Sequence, residues 1–359
     1  MNVIGALLGR RIRDYYAERL YPNQYTCLVG PTGEAFKTTA INKALQIAEQ
    51  VDSRLHRSSA AGSAEGLLEA MAFAEAEPEE YPIIRAAMGQ VRTRKDSDGE
   101  IIDEAILYEK LHRRLLIVQD EFTVLLAKAK GGGHGGGGTM IPHLLSAFNC
   151  PKEIRLPTRN KPLIIVNPTV SILSASTVEF LGNHFEDHDW YSGFGNRLAF
   201  VGATPCAPVP RPKPPDEELW SSVVEHVKDV YRRFDDAEDD SHPVAFEMTK
   251  SAESLWVQLY EQWHEDRQQM SADQIAATQR TPEYALKFAL IYAATALRDT
   301  RHLIGATDID LGFKAARFAE QINHDLVSTL MSDQNAQKEQ KIMAYLRVSG
   351  PQQRRTLQA

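Results

Sequence analysis

Residues 30–39 read Gly30-Pro31-Thr32-Gly33-Glu34-Ala35-Phe36-Lys37-Thr38-Thr39, and they directly follow the apolar run Tyr25 to Val29. Such a run is typical of a buried strand, and an amphipathic segment typical of a helix begins at Lys37. A strand that leads through a glycine-bearing loop into a helix can hold a phosphate, because loop N–H groups and the helix N-terminus face the anion. This stretch therefore predicts an α/β fold with a nucleotide at the loop.

The loop departs from the common phosphate-binding pattern, in which Gly is followed by four residues and then by Gly-Lys-Ser/Thr. Counting back from Lys37 places Pro31 and Phe36 at the two glycine positions, although Gly30 and Gly33 lie close by. A lysine after a glycine turn is also ordinary at the start of a helix. Taken alone, the loop leaves a phosphate site and a plain helix start both open.

A second segment, Leu115 to Val118, is an apolar run that ends in Gln119, Asp120 and Glu121. In open α/β sheets, ligands sit at the carboxyl ends of such strands. There Asp120 would hold Mg²⁺ beside the Thr38 hydroxyl, and Glu121 would polarise the attacking water. By itself the acidic pair also fits a solvated turn. Its position about 80 residues after the Lys-Thr pair favours an ATPase.

The composition is that of a globular protein, with 359 residues of which 43% are hydrophobic. A formal net charge of −8 argues against a surface that is basic throughout, but it permits a local nucleic-acid site. The three cysteines lie far apart, which indicates neither a disulfide framework nor a four-cysteine zinc site and favours a reducing cytoplasm. No apolar run approaches the roughly 20 residues that span a bilayer, so we expect no membrane association.

Prolines mark the expected domain boundary. Residues 205–216 contain six prolines, a density that neither a helix nor a central strand tolerates. We therefore expect an ATPase domain over residues 1–204 that begins with a helix over residues 1–20, and a helical domain over residues 217–335. Residues 336–359 would form the start of a winged-helix unit or a tail.

In their order, the segments resemble a family of RecA-like P-loop ATPases of mobile elements and prophages that often accompany primase-polymerase domains as replicative helicase modules. Four segments carry the likeness, which extends over about residues 1–330: the Gly30 to Thr39 loop after Tyr21 to Tyr25, the acidic strand end Gln119 to Phe122, Asn167 to Thr177, and Ser192 to Arg197. These motifs are short, and their order and spacing carry most of the specificity. The resemblance implies a RecA-like P-loop core with a central, mostly parallel sheet, followed by a C-terminal helical domain.

The resemblance also implies roles for the residues around the phosphates. The loop from Gly30 to Thr39 would bind ATP, and Lys37 would contact the β- and γ-phosphates. Thr38 and Asp120 would serve Mg²⁺, and Glu121 would be the catalytic base. Many relatives have Gly or Arg where this chain has Phe36, so the speed of turnover stays open.

Three further residues would complete the site by the same resemblance. Ser174 or Ser176 would be the polar sensor of the γ-phosphate, although serines at strand ends also satisfy local backbone groups. Arg197 would be an arginine finger that reaches a nucleotide at a subunit boundary. An ion pair within its own chain is the alternative for Arg197.

Residues 131–138 contain seven glycines around His134 and predict a loop without regular structure. Ring-shaped RecA-like motors often carry pore loops at this place, so Lys128, Lys130 and His134 would contact a nucleic-acid backbone, expected to be single-stranded DNA. A plain spacer explains the glycines as well.

Two functions follow from the sequence. The first is an ATP-driven DNA helicase or translocase that hydrolyses ATP with Mg²⁺ during replication of a mobile element, as a homo-oligomer such as a hexameric ring with a primase partner. The second is a nucleotide-gated scaffold or regulator in replication initiation or defence, with slow or absent hydrolysis. Phe36 and the acidic net charge favour the second.

Overall fold

The computed structural model describes residues 1–59, 63–72, 74, 94–95, 101–102, 113–130, 140–156, 163–185, 187–205, 207, 209–211, 213–235, 243–297 and 302–349. Its strands are β1 Ile12–Tyr16, β2 Glu18–Leu20, β3 Tyr25–Val29, β4 His56–Ser58, β5 Arg94–Lys95, β6 Ile101–Ile102, β7 Arg113–Gln119, β8 Glu153–Leu156, β9 Leu163–Val166, β10 Pro168–Ser176, β11 Leu198–Gly202, β12 Val244–Ala245, β13 Glu247–Met248 and β14 Leu303–Ile304. Its α-helices are α1 Asn2–Leu8, α2 Lys37–Val51, α3 Ala64–Ala72, α4 Phe122–Lys130, α5 Ile141–Phe148, α6 Val178–His184, α7 Asp187–Tyr191, α8 Glu217–Asp235, α9 Lys250–Asp266, α10 Ala272–Thr278, α11 Thr281–Thr295 and α12 Ala306–Ser349.

A five-stranded sheet with the order β11-β3-β10-β7-β4 lies at the centre of the molecule. Every neighbouring pair in it is parallel. All nine residues of β10 are buried, as expected for a strand covered on both faces. The prediction of an α/β fold with a mostly parallel sheet is confirmed. Because the strands run in one direction, the loops that follow β3, β7 and β10 leave the sheet at the same edge.

The first helix is much shorter than the sequence predicts. Helix α1 ends at Leu8, and the expected helix over residues 1–20 becomes a 3₁₀ turn, Gly9–Arg11, followed by the antiparallel pair β1 and β2. Gly9 has a φ of +52°, which ends the helix. The isoleucine and tyrosines of β1 favour an extended chain. The apolar periodicity of this region therefore belongs partly to a strand.

The helices beyond the proline-rich segment pack directly on the sheet. Trp263, Tyr284 and Phe313 of these helices lie in the same buried hydrophobic cluster as Tyr25 and Phe200 of the sheet. Residues 217–330 therefore share a core with residues 1–204, although the sequence analysis assigns them to two domains.

Helix α12 runs without a break over 44 residues, from Ala306 to Ser349. From the sequence we expect the helical domain to end at residue 335 and a new unit or a tail to start at residue 336. The structure instead continues one helix through that point, and residues 350–359 lie outside the described residues. None of the helices in the described ranges is long and apolar enough to cross a membrane.

One tyrosine ties the C-terminal helices to two strands of the sheet. The Tyr284 hydroxyl accepts a hydrogen bond from the Tyr25 N–H at 3.1 Å. It also lies 2.7 Å from the Arg197 carbonyl oxygen and 2.9 Å from that of Tyr25, either of which can receive its proton. Burial raises the pKa of Tyr284 far above its ordinary value, so the hydroxyl keeps its proton.

We expect Tyr284→Phe to lower the free energy of unfolding by about 1–3 kcal/mol, because backbone groups of Tyr25 in β3 and of Arg197 just before β11 lose their partner. Urea unfolding measures this loss. Tyr15→Phe is the matched control, since Tyr15 is 54% exposed and should change stability by less than about 0.5 kcal/mol. Equal stability of the two variants would contradict a stabilising role for the Tyr284 hydroxyl.

A buried carboxylate in β1 makes the fold sensitive to pH. Asp14 is 5% exposed, and its Oδ2 atom has no hydrogen-bond partner. Burial raises the pKa of Asp14 from its ordinary 3.8 to about 6. The folded chain therefore binds this proton more tightly than the unfolded chain does, so ionisation of Asp14 costs stability as the pH rises from about 4 to about 6.

We expect Asp14→Asn to stabilise the protein by about 1–3 kcal/mol at pH 7 and to have little effect below about pH 4, where Asp14 is neutral in both states. Chemical unfolding at several pH values measures the difference. Asp229→Asn is the control, because the Asp229 side chain is 57% exposed and should change stability little at any pH. A gain that is the same at pH 4 and pH 7 would show that packing, not ionisation, is responsible.

Candidate functional site

The segment from Gly30 to Phe36, named here the Gly30 loop, joins β3 to α2. Gly30 must be small, because a Cβ atom there would lie 2.5 Å from the Ala203 carbonyl oxygen. Gly33 has a φ of +79°, a left-handed conformation that glycine adopts without strain. Both glycines that the sequence analysis noted are thus required by the shape of the loop.

Phe36 also has a left-handed backbone, with φ +47° and ψ +31°, at the residue before α2. This is the position at which the common phosphate-loop pattern has its second glycine. A side chain in this conformation costs about 1 kcal/mol, which explains why glycine suits the position. The chain makes the same turn with a phenylalanine, whose side chain is 45% exposed.

An open cleft of about 380 Å³ lies at the carboxyl edge of the sheet. The Gly30 loop, the start of α2, the acidic strand end after β7 and the end of β10 all contribute to it. Its lining, named here the Lys37 cleft, consists of Pro31, Thr32, Gly33, Phe36, Lys37, Thr38, Thr39, Asp120, Glu121, Ala175, Thr177 and Phe180. Residues that lie 80 or more positions apart in the chain therefore line the same cleft.

The lysine and threonine that begin α2 lie beside the first acidic residue after β7. The Thr38 Oγ1 atom donates a hydrogen bond to Asp120 Oδ1 at 2.7 Å. The Lys37 Nζ atom donates to the carbonyl oxygens of Gly30 at 2.5 Å and of Pro31 at 3.0 Å. The Lys37 amine, the Thr38 hydroxyl and the Asp120 carboxylate thus lie close together at the start of α2.

Two hydroxyl groups hold the second acidic residue. Glu121 Oε1 accepts hydrogen bonds from Ser176 Oγ at 2.6 Å and from Thr123 Oγ1 at 3.0 Å. It also accepts one from the Thr123 backbone N–H at 3.3 Å, so the carboxylate caps the start of α4. Thr123 is not among the site residues predicted from the sequence. Its signal is a threonine in the first turn of the helix that directly follows the acidic pair.

The structure separates the two serines that were alternatives for the sensor. Ser176 pairs with Val29, the last residue of β3, and contacts Glu121 at the cleft. Ser174 lies two residues earlier in β10 and is fully buried, and its hydroxyl donates to the Thr26 carbonyl oxygen at 3.2 Å. Only Ser176 is placed where it can respond to a group in the Lys37 cleft.

Arg197 lies at the opposite edge of the sheet. The next residue, Leu198, pairs with Tyr25 at the start of β3, so the length of that strand, roughly 15 Å, separates Arg197 from the Gly30 loop. Its Nη1 atom donates to the Gly193 carbonyl oxygen at 2.7 Å, and its guanidinium carbon lies 5.6 Å from the centre of the Phe148 ring. The half-buried side chain therefore packs within its own chain, and Arg197 does not reach the cleft of that chain.

The residues expected to contact DNA near the glycine-rich segment are only partly placed by the structure. His134 lies outside the described residues. The Lys130 Nζ atom lies 2.6 Å from Oδ2 of the fully buried Asp189 and donates to the His184 carbonyl oxygen at 2.7 Å. This amine joins α4 to the α6–α7 region and is not available to a phosphate. Lys128 is exposed on α4.

The residues of the Lys37 cleft fit a magnesium nucleotide. Mg²⁺ is usually bound through one or two carboxylates together with water and substrate phosphates. Asp120 and the Thr38 hydroxyl are ligands of that kind, and Lys37 with the start of α2 suits the phosphates. In the described residues, no three side chains of His, Cys, Asp or Glu come together to hold an ion, so an ion here would take further ligands from water and phosphate.

No protein-family model and no curated protein matches this chain. Among solved structures, a full-length MCM homolog from Methanopyrus kandleri aligns with 89% of this chain at 13% sequence identity and a TM-score of 0.42. The alignment covers 53% of that protein, so this chain spans about half of its length. The similarity is weak, and the mobile-element ATPase family indicated by the motifs stays a prediction.

The left-handed residues of the Gly30 loop allow a test of its shape. We expect Gly33→Ala to lower the free energy of unfolding by about 1–2 kcal/mol through backbone strain alone, because no atom lies within 4 Å of the added Cβ. Phe36→Gly relieves the same kind of strain and should stay within about 1 kcal/mol of the native chain. Urea unfolding compares the two. A harmless Gly33→Ala would show that the loop has another conformation.

Proposed function

We propose that this chain is a magnesium-dependent ATPase whose active site is the Lys37 cleft. The observation that carries the proposal is the 2.7 Å hydrogen bond between Thr38 and Asp120. It joins a helix start that suits phosphates to a strand end that suits a divalent cation, across 82 residues of sequence. Glu121 is the next residue after Asp120, where a base could act on the water molecule that attacks the phosphate.

The roles of the residues follow from their chemistry. Bound Mg²⁺ would neutralise charge on the phosphate oxygens, with Asp120 and Thr38 holding it. Lys37 would leave the loop carbonyls and bind the phosphates through its cationic amine. Glu121 would orient a water molecule and take its proton. Since its three hydrogen bonds fall on Oε1, the other carboxylate oxygen, Oε2, would receive that proton.

Ser176 has a positioning role in this proposal. Its hydroxyl fixes the Glu121 carboxylate from the neighbouring strand, and the backbone carbonyl of Ser176 accepts a hydrogen bond from the Gly30 N–H at 3.3 Å. One residue is thus connected to both the base and the phosphate loop. A shift of the loop on nucleotide binding would move the base through Ser176.

We propose further that ATP hydrolysis drives a DNA helicase or translocase, built as a homo-oligomeric ring. The motif order and the predicted family support this step. A nucleotide-gated scaffold with slow hydrolysis is the second candidate, and the strained Phe36 backbone at the phosphate loop supports it. In that case ATP binding would promote assembly of the scaffold, and ATP hydrolysis would return it to the unassembled state.

We expect Lys37→Ala to abolish detectable Mg-ATP binding, because the cleft loses its cationic phosphate ligand. Glu121→Gln should keep binding and lower the hydrolysis rate by about 10²–10⁴-fold, the usual contribution of a general base. Calorimetry with Mg-ATP and a phosphate-release assay measure the two effects. The control is Lys43→Ala, two turns further along α2, where the amine contacts Gln46 and the Trp220 ring.

The same assays separate the two functions. Faster hydrolysis with single-stranded DNA at low salt supports the motor, whereas slow hydrolysis with ATP-dependent assembly supports the scaffold. Absence of heat with Mg-ATP for the native chain would overturn both proposals. Unchanged hydrolysis in Glu121→Gln would remove Glu121 from the mechanism.

A further inference from the structure

A long polar groove lies at the edge of the sheet opposite the Lys37 cleft. It consists of two cavities of about 690 Å³ and about 310 Å³. Both cavities are lined by Glu18, Arg19, Tyr21 and Asn149, so they join into one groove, named here the Arg19 groove. It runs along the hairpin of β1 and β2 and past the end of α5.

The Arg19 groove is basic in an acidic protein. Its basic side chains are Arg10, Arg19, Lys152, Arg280 and Lys287, and its acidic ones are Glu18 and Glu283. The whole chain has a formal net charge of −8. The local excess of basic side chains is therefore opposite in sign to the net charge of the protein. It favours an anionic ligand.

One carboxylate serves two cations at the inner wall of the smaller cavity. Glu283 Oε2 lies 2.5 Å from Arg280 Nη1, and Glu283 Oε1 lies 4.0 Å from Lys287 Nζ. Lys287 is 1% exposed, and its amine donates to the Tyr21 carbonyl at 3.0 Å and to the Asn23 side-chain oxygen at 2.7 Å. Glu283 pairs with both cations and burial lowers the pKa of the Lys287 amine, so the inner wall holds two basic side chains against one carboxylate.

The larger cavity has a similar buried cation. Arg10 is 8% exposed, and its guanidinium donates to the carbonyl oxygens of Cys150 at 2.9 Å and Pro151 at 3.3 Å. No carboxylate among the described residues forms an ion pair with Arg10. The Arg197 guanidinium adds a further positive charge behind the groove, against the Phe148 ring that lines it.

The exposed wall of the groove offers groups that can contact a ligand directly. Arg19 is exposed and forms no ion pair with a described residue. Tyr16, 39% exposed, presents an aromatic ring, and Asn149 presents an exposed amide. Proteins bind single-stranded nucleic acids in basic grooves that carry aromatic side chains, with cations on the phosphates and rings against the bases, and Tyr16 is the exposed aromatic side chain among the described residues of this groove.

We propose that the Arg19 groove binds the phosphate backbone of single-stranded nucleic acid. This inference deepens the proposed motor function, because it places its nucleic-acid site on the face opposite the nucleotide. Arg19 contacts a phosphate, and the buried Arg10, which forms no ion pair with a described carboxylate, adds a positive charge that its backbone contacts hold in place.

Binding of fluorescein-labelled (dT)20, followed by fluorescence anisotropy without nucleotide, tests the proposal. Arg19→Glu should weaken binding by about 5-fold or more at low salt and lower the slope of log affinity against log salt by about 0.7 for each lost contact. Arg19→Ala should have a smaller effect in the same direction. The matched control is Lys314→Glu, an equal charge change on α12 at a side chain that is 71% exposed. It should bind like the native chain, and circular dichroism checks that each variant is folded.

Three outcomes would overturn the proposal: native affinity in Arg19→Glu, an equal loss in Lys314→Glu, or equally strong competition by poly-glutamate, which carries charge without phosphate. Competition by an unlabelled oligonucleotide supports the proposal. Weaker competition by tripolyphosphate at equal charge shows that the groove binds a nucleic-acid strand in preference to a free phosphate. Lys37→Ala distinguishes this site from the proposed ATPase. That variant should still bind (dT)20, so a failed ATPase assay and a failed groove assay are independent results.

Discussion

The shared register of β3, β10 and β7 determines where every group of the Lys37 cleft lies. Hydrogen bonding aligns Ser176 with Val29 and Ser174 with Gln119, so the three strands end almost level. The loop after β3 and the acidic pair after β7 then leave the sheet side by side. Without β10 between them, the Thr38 hydroxyl and the Asp120 carboxylate would have no common frame.

The same parallel register separates the two candidate binding sites. Loops that follow the strands carry the Lys37 cleft, and segments that precede them carry the Arg19 groove. The buried strands of the central sheet connect these two edges. Tyr284 holds the start of β3 and the residue before β11 through one hydroxyl, on the groove side of the sheet. A ligand at either edge therefore acts on the same set of strands.

The sequence predicted those parts of the site that depend on local geometry. Gly30 and Gly33 indicated a loop that can hold a phosphate, and Asp120 and Glu121 followed an apolar run that predicted a strand. Ser176 could not be separated from Ser174, because both lie on one face of the strand and only the pairing partner distinguishes them. The sequence also could not show that a helical period over residues 1–20 would give way to a strand at Ile12.

Residues whose roles depend on distant partners were the least predictable. Lys130 is predicted from the sequence to contact a nucleic-acid backbone, but the buried carboxylate of Asp189, 59 residues later, binds its amine. Arg197 follows the order of motifs expected for a finger, and the direction of β11 places it at the far edge of the sheet from the cleft of its own chain, so contact with a nucleotide at a subunit boundary stays a prediction. The basic character of the Arg19 groove comes from several separate segments, so no single stretch of sequence indicates it.

The shared hydrophobic core has a practical consequence for dividing this protein. Ending the chain at the proline-rich segment would uncover Tyr25, Phe148 and Phe200, which the later helices cover together with the sheet. Such a shortened chain would present a broad apolar face to water and would tend to aggregate. The prolines therefore lie between two parts of the chain that share one hydrophobic core, and we expect a protease that cuts there to leave two pieces that stay together.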